Sequence, residues 1–145
     1  MSGRRHWVGV AAAAHVRAAV EGGFCQFSHG TERSVAKLSP GDRLAYYAPR
    51  ETLEGDEPVQ RFVAIGTVAG GEPQAVTRDG HTFHRRACAY VPNPTEAEVR
   101  PLLESLSFVR DPKHWGMAFR RGQFEVLPED FEVIARAMRV WSKLP

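Results

Sequence analysis

The sequence has little cysteine, little lysine and no long apolar run, and each shortage removes a class of protein. Its two cysteines, Cys25 and Cys88, show no metal-type spacing, so neither a disulfide framework nor a zinc site is expected. Reduced thiols in a cytoplasmic protein are the reading they favour. The apolar stretch WVGVAAAA after Arg4-Arg5 is interrupted at His15 and Arg17, too soon for a membrane span or a signal peptide. Also missing are a nucleophile elbow, a phosphate-cradling glycine loop, a spaced carboxylate pair, an internal repeat and a low-complexity tract. No catalytic residue, cofactor or metal is expected. His81 and His84 stand three apart, but zinc needs three or four ligands and nothing nearby completes the set.

What is present belongs to an ordinary globular protein. Of 145 residues, 43% are apolar and 25% charged, and the net charge of +2 is too small to argue for any partner. One domain over residues 1–145 is expected, since a chain of that size buries roughly 68–70% of its unfolded surface without a staple. Arginine outnumbers lysine 16 to 3, with pairs at Arg4-Arg5, Arg85-Arg86 and Arg120-Arg121. Two readings stand: guanidinium forks suit phosphate and base stacking, and a coding bias toward Arg and Ala gives the same count.

Punctuation and periodicity predict about six short strands with helices near each end. Strands are expected at 7–11, 24–27, 43–47, 60–68, on both sides of an Asp79-Gly80 hairpin, and at 115–120 and 124–127. Residues 60–68 read as a central strand, with Phe62 and Ala64 on one face and Val63, Ile65 and Thr67 on the other. Helices are expected at 13–21, as a short helix begun by the capping-box pattern of Thr95 with Glu98, as a second turn from Pro101 to Leu106, and from Pro128 onward. In the last, Phe131, Ile134, Ala135 and Met138 form one apolar stripe. This pattern is α+β around a curved or barrel-like sheet.

The stretch 21–49, EGGFCQFSHGTERSVAKLSPGDRLAYYAP, concentrates aromatics, histidines and glycines as a pocket-forming segment does. Gly22-Gly23 stops the first helix, and Pro40-Gly41 sits as a type II turn requires. Tyr46 and Tyr47 point to opposite faces, so one packs in the core and the other lines what lies outside it. Phe24, Tyr47 and Trp115 either stack on a base or fill the core. His29 either bonds a base edge or caps its turn.

In order along nearly the whole chain, WVGV, HV followed by GGF, HG, PGD, YY, QRFVAIGTV, FHRRACAY, RPLLESLSF, HWGMAFRRG and DFEVIARAM resemble the EVE-domain family of PUA-like proteins. The resemblance implies a PUA-like mixed β-barrel flanked by short helices, kinship to YTH domains, and a non-enzymatic reader of a modified base. Modified DNA of the methylcytosine type stands ahead of RNA as its partner, and the protein is expected to act as a monomer without a membrane. The implied base pocket comprises His15, Phe24, Gln26, His29, Gly30, Tyr47, Phe83 and Trp115, with Phe24 near the place of the YTH cage tryptophan. Phosphate contacts are expected from Arg33, Lys37, Arg85, Arg86, Arg120 and Arg121. Thr31 stands where the family usually has lysine, and Arg33 or Lys37 would substitute. The alternative is an RNA-processing enzyme like the ASCH-domain ribonucleases, using His15 or His29.

Overall fold

The computed structural model describes residues 3–145. HWVGV forms β1 (His6–Val10), buried along nearly its whole length and paired on both sides. Its neighbour β3 (Arg43–Arg50) runs parallel to it, with Trp7 opposite Leu44 and Val8 opposite Ala45. A parallel neighbour requires a crossover. Here the crossover contains α1 (Ala13–Gly22), the two-residue β2 (Phe24–Cys25) and α2 (Glu32–Ala36). Gly23 ends α1 in the left-handed conformation at φ 71°, where its N–H returns to the carbonyls of Ala19 and Val20.

The remaining strands pair antiparallel. They are β4 (Pro58–Val68), β5 (Gln74–Arg78), β6 (His81–Tyr90), β7 (Ala97–Glu98) and β8 (Gln123–Val126). The main path of six strands runs β2-β6-β4-β3-β1-β8, with β5 added to β6 and β7 to β4. This curled half-barrel with short helices is the expected α+β architecture. At the β5–β6 hairpin, Asp79 and Gly80 both have positive φ, as a two-residue type I′ turn requires.

Two apolar clusters form on the sheet. The larger gathers Val8, Tyr47, Phe62, Ile65, Phe119 and Phe124 under α3 (Pro128–Ala137), where Phe131, Ile134, Ala135 and the adjoining Met138 are completely buried, as their spacing predicts. The smaller holds Trp7, Val16, Cys25, Phe27, Leu44, Tyr46, Ala64 and Cys88. Both cysteines are buried thiols.

Several expectations need correction. Tyr46 and Tyr47 do face opposite ways, but both are buried, one in each cluster, because both faces of β3 are covered. Phe62 and Ala64 do not share a face. Tyr46 pairs with Ala64 and Tyr47 with Phe62, so Val63 is an extra residue whose bulge reverses the alternation. Residues 115–120 are not a strand: 3-10 turns run Pro112–Phe119, started by Pro112 and by Asp111, whose carboxylate accepts from the Lys113 N–H. The Thr95–Glu98 pattern starts no helix, because Ala97 and Glu98 pair with Phe62 and Arg61 as β7. Pro101 does open a 3-10 turn, Arg100–Ser105. The strand begun at Phe24 ends at Cys25, since Gln26 gives its backbone to the Tyr46 hydroxyl instead of to a ladder. The α2 helix was not apparent from the sequence.

Candidate functional site

An open pocket of about 780 Å³ lies where four segments meet. The end of β1 and the first turn of α1 contribute Val10, Ala12 and His15, and the chain after β2 contributes Gln26, Phe27, Ser28 and His29. Arg50, Thr52, Leu53 and Glu54 come from the end of β3 and its following loop, and Arg120, Arg121 and Gly122 close the remaining side. Its size falls within the range of small-ligand sites.

The turn at residues 28–30, whose Ser28 and His29 form part of the wall, is strained. Ser28 and His29 hold φ of 49° and 61°, a left-handed conformation that side chains other than Gly, Asn and Asp seldom adopt, and Gly30 continues it at 78°. Surrounding contacts over-determine this turn. The Gly30 N–H donates to the Phe27 carbonyl at 2.8 Å, and the single proton of the Ser34 hydroxyl is shared between the carbonyls of Thr31 at 2.7 Å and Phe27 at 3.2 Å. Gln123 Nε2 then holds the Ser34 carbonyl at 2.8 Å. Two glycines make the close packing possible: a Cβ at Gly122 would stand 2.7 Å from Ser28 Oγ, and one at Gly30 would stand 2.8 Å from the Phe83 ring.

Beneath the pocket, Tyr46 sets the position of Gln26. Its hydroxyl accepts from the Gln26 N–H and donates to the Gln26 carbonyl, each at 3.0 Å. Phe27 stacks on the Tyr46 ring at 5.4 Å between centroids. The Gln26 side chain is buried, and its Oε1 accepts from Arg85 at 3.3 Å. His15 is an exposed side chain whose partial desolvation against the pocket wall, then the charge of Arg85, then His29, lower its pKa below the ordinary value of 6.5. At neutral pH His15 is therefore an uncharged imidazole able to donate from one nitrogen and accept at the other.

Of the residues expected to form a site, His15, Gln26, His29, Arg120 and Arg121 meet at this pocket. The aromatics do not. Phe24 lies beside the pocket wall with its ring 3.9 Å below the Arg85 guanidinium. Tyr47 is buried in the larger cluster, stacked on Phe119 at 4.1 Å, and burial pushes its pKa up to about 12. Trp115 packs edge-on to the same two rings beneath Arg100. Phe83 and Gly30 press against each other behind the strained turn. Among the expected phosphate ligands, Arg33, Lys37, Arg120 and Arg121 are exposed. Arg85 is committed to Phe24 and Gln26, and Arg86 is buried with bonds to the carbonyls of Leu38 and Gly71 at 3.3 and 2.7 Å. A guanidinium so enclosed is a structural clamp. Arg50 and Leu53 were missed, because composition marked 48–58 only as an exposed loop.

Among the described residues, no group of three His, Cys, Asp or Glu side chains gathers as a metal site would, and no helix is long and apolar enough to cross a membrane. Solved proteins from Pseudomonas putida and Agrobacterium tumefaciens (Atu2648) share the fold. They superpose with TM-scores of 0.56 and 0.54 at 16% and 13% identity, covering 92% and 91% of this chain and 99% and 91% of theirs. Sequence relatives are nearer. A UPF0310 protein of Mycobacterium avium is 36% identical, with 92% of this chain and 96% of the relative covered. The UPF0310 protein YdcG of Bacillus subtilis is 34% identical over 93% and 92%. The EVE domain profile matches residues 5–137, and with these relatives it shows that the chain belongs to the EVE-domain family.

Proposed function

We propose that this protein is a non-enzymatic nucleic-acid-binding module whose pocket takes up one modified base, with methylcytosine-type DNA ahead of modified RNA. The observation that carries the reading is the convergence of His15, Gln26 and His29 in one pocket whose rim bears Arg120 and Arg121. Imidazole and amide groups recognise a base edge by hydrogen bonds once the base leaves its stack, and arginines hold the adjoining phosphates. Phe27 is buried against Tyr46, and the exposed side chain of Leu53 takes over as the apolar surface that Phe24 was expected to supply. The 50–54 segment brings Arg50 and Glu54 together at the pocket, so its charges offset, whereas Arg120 and Arg121 add; the strand follows the Arg120–Arg121 side.

The test is titration of short single strands, with and without one modified base, at several salt concentrations. Replacing Arg121 by Ala is expected to reduce the slope of log affinity against log salt by about 0.7–0.9, one phosphate contact. An unchanged slope for Arg120→Ala and Arg121→Ala together returns both to ordinary surface charge. A ribonuclease is the second reading, favoured by the placement of His15 and His29 in the same pocket, an arrangement open to acid–base catalysis. Incubation with labelled RNA separates the two, since a reader leaves the strand intact.

A further inference from the structure

Gln26 is the one amide in the pocket wall, and an amide presents either a donor or an acceptor depending on which end faces the ligand. Usually that choice is open. Here it is closed by Arg85, whose guanidinium can only donate and which meets Gln26 Oε1 at 3.3 Å. Nε2 is consequently the other end; the hydrogen bonds of Gln26 among the described residues are made by its N–H, its carbonyl and Oε1, and the side chain lines the pocket. The backbone of Gln26 is independently clamped on both sides by the Tyr46 hydroxyl, which fixes the point from which the side chain leaves the main chain. Arg85 is itself held: its guanidinium carbon sits over the Phe24 ring, 3.9 Å from the centroid.

Resting on the base-pocket reading above, we infer that Gln26 is a specificity-determining residue that donates from Nε2 to an acceptor on the bound base, and that Arg85 is the positioning residue that fixes this polarity. The ligand class is a base that turns an acceptor edge, a ring nitrogen or carbonyl oxygen, toward the pocket floor. Phe24 then acts two steps from the ligand, through Arg85. A base that offers only amino groups at this point meets two N–H donors facing its own and is rejected.

The experiment uses the intact protein and short single-stranded DNA and RNA carrying one 5-methylcytosine or one N6-methyladenine, with the tightest of these carried into the comparison of variants. Gln26→Glu has nearly the same shape but offers only acceptors, and its carboxylate keeps an ion pair with Arg85. Affinity is expected to fall about 10-fold or more in Gln26→Glu, and less in Gln26→Met, at an unchanged melting temperature. Arg85→Met is expected to weaken binding about 3-fold or more in the parent but not further in the Gln26→Met background, and Arg85→Lys, which still donates to Oε1, is expected to restore most of the loss. Equal or tighter binding by Gln26→Glu overturns the donor assignment while leaving the base pocket standing. Additive losses from Arg85→Met and Gln26→Met overturn the positioning role. If the parent protein binds none of the strands, the base-pocket reading falls and this inference falls with it.

Discussion

The two apolar clusters differ in what their aromatic residues do, and the adjacent tyrosines of β3 show the difference most directly. Tyr47, in the larger cluster, uses its ring: it stacks on Phe119 and meets Phe62 and Trp115 edge-on, while its hydroxyl has no partner among the described residues. Tyr46, in the smaller cluster, uses its hydroxyl, which holds both backbone groups of Gln26. Around it stand further polar handles: Trp7 donates to Asp42 at 3.1 Å, and the Tyr90 hydroxyl donates to the Phe24 carbonyl at 2.8 Å. One cluster is a ring-on-ring core beneath α3. The other is a scaffold whose hydrogen bonds place the pocket floor, and the pocket opens beside it.

If that contrast is right, the largest stability loss belongs to the larger cluster. Phe131→Ala empties a completely buried site under α3 and is expected to lose about 3–5 kcal/mol, read from chemical denaturation. A loss below about 1 kcal/mol would deny that cluster its dominant share.

The tyrosines supply the next comparison. Tyr46→Phe leaves the N–H and C=O of Gln26 unpaired in a buried setting, with an expected loss of about 1–3 kcal/mol, accompanied by weaker base binding. Tyr47→Phe removes a hydroxyl without a partner and is expected to change stability by about 0.5 kcal/mol or less. Equal effects from the two substitutions would erase the distinction between the clusters.

The smallest effect is the response to acid. The His6 pKa is lowered by burial, then by Arg43 and Arg4, and that of His15 by burial, Arg85 and His29. Each imidazole thus takes up its proton less readily folded than unfolded. Between the ordinary value of 6.5 and the lowered one the unfolded chain binds more protons, so this stability is present above pH 6.5 and is lost as pH falls toward the folded value. Melting temperatures should therefore drop on acidification. His6→Phe, at a buried position against the Phe131 ring, is expected to shrink that drop more than His15→Gln at the exposed pocket wall. The reverse order would place the acid-sensitive group at the pocket.

Residue types and short-range spacing were sufficient for much of this molecule. They determined the end of α1 at Gly22-Gly23, the Asp79-Gly80 hairpin, the Pro40-Gly41 turn and the buried stripe of α3, because each depends on backbone preferences or periodicity within a few residues. Residue type marked His29 and the Arg120-Arg121 pair, the family resemblance added His15 and Gln26, and the fold brings all five to one pocket. Only the tertiary structure decided what the aromatics and the other arginines do. Phe24, Tyr47 and Trp115 look alike in sequence whether they await a ligand or pack against neighbours. Phe24 carries Arg85 across from β6, and Tyr47 and Trp115 meet around Phe119. Arg85 and Arg86 are consecutive, yet one orients a pocket amide and the other ties Leu38 to Gly71. The Val63 bulge and the pairing of Ala97 and Glu98 with β4 belong to the same class. Such features are set by contacts between residues distant in the chain, and local spacing carries no record of which partner the fold will supply.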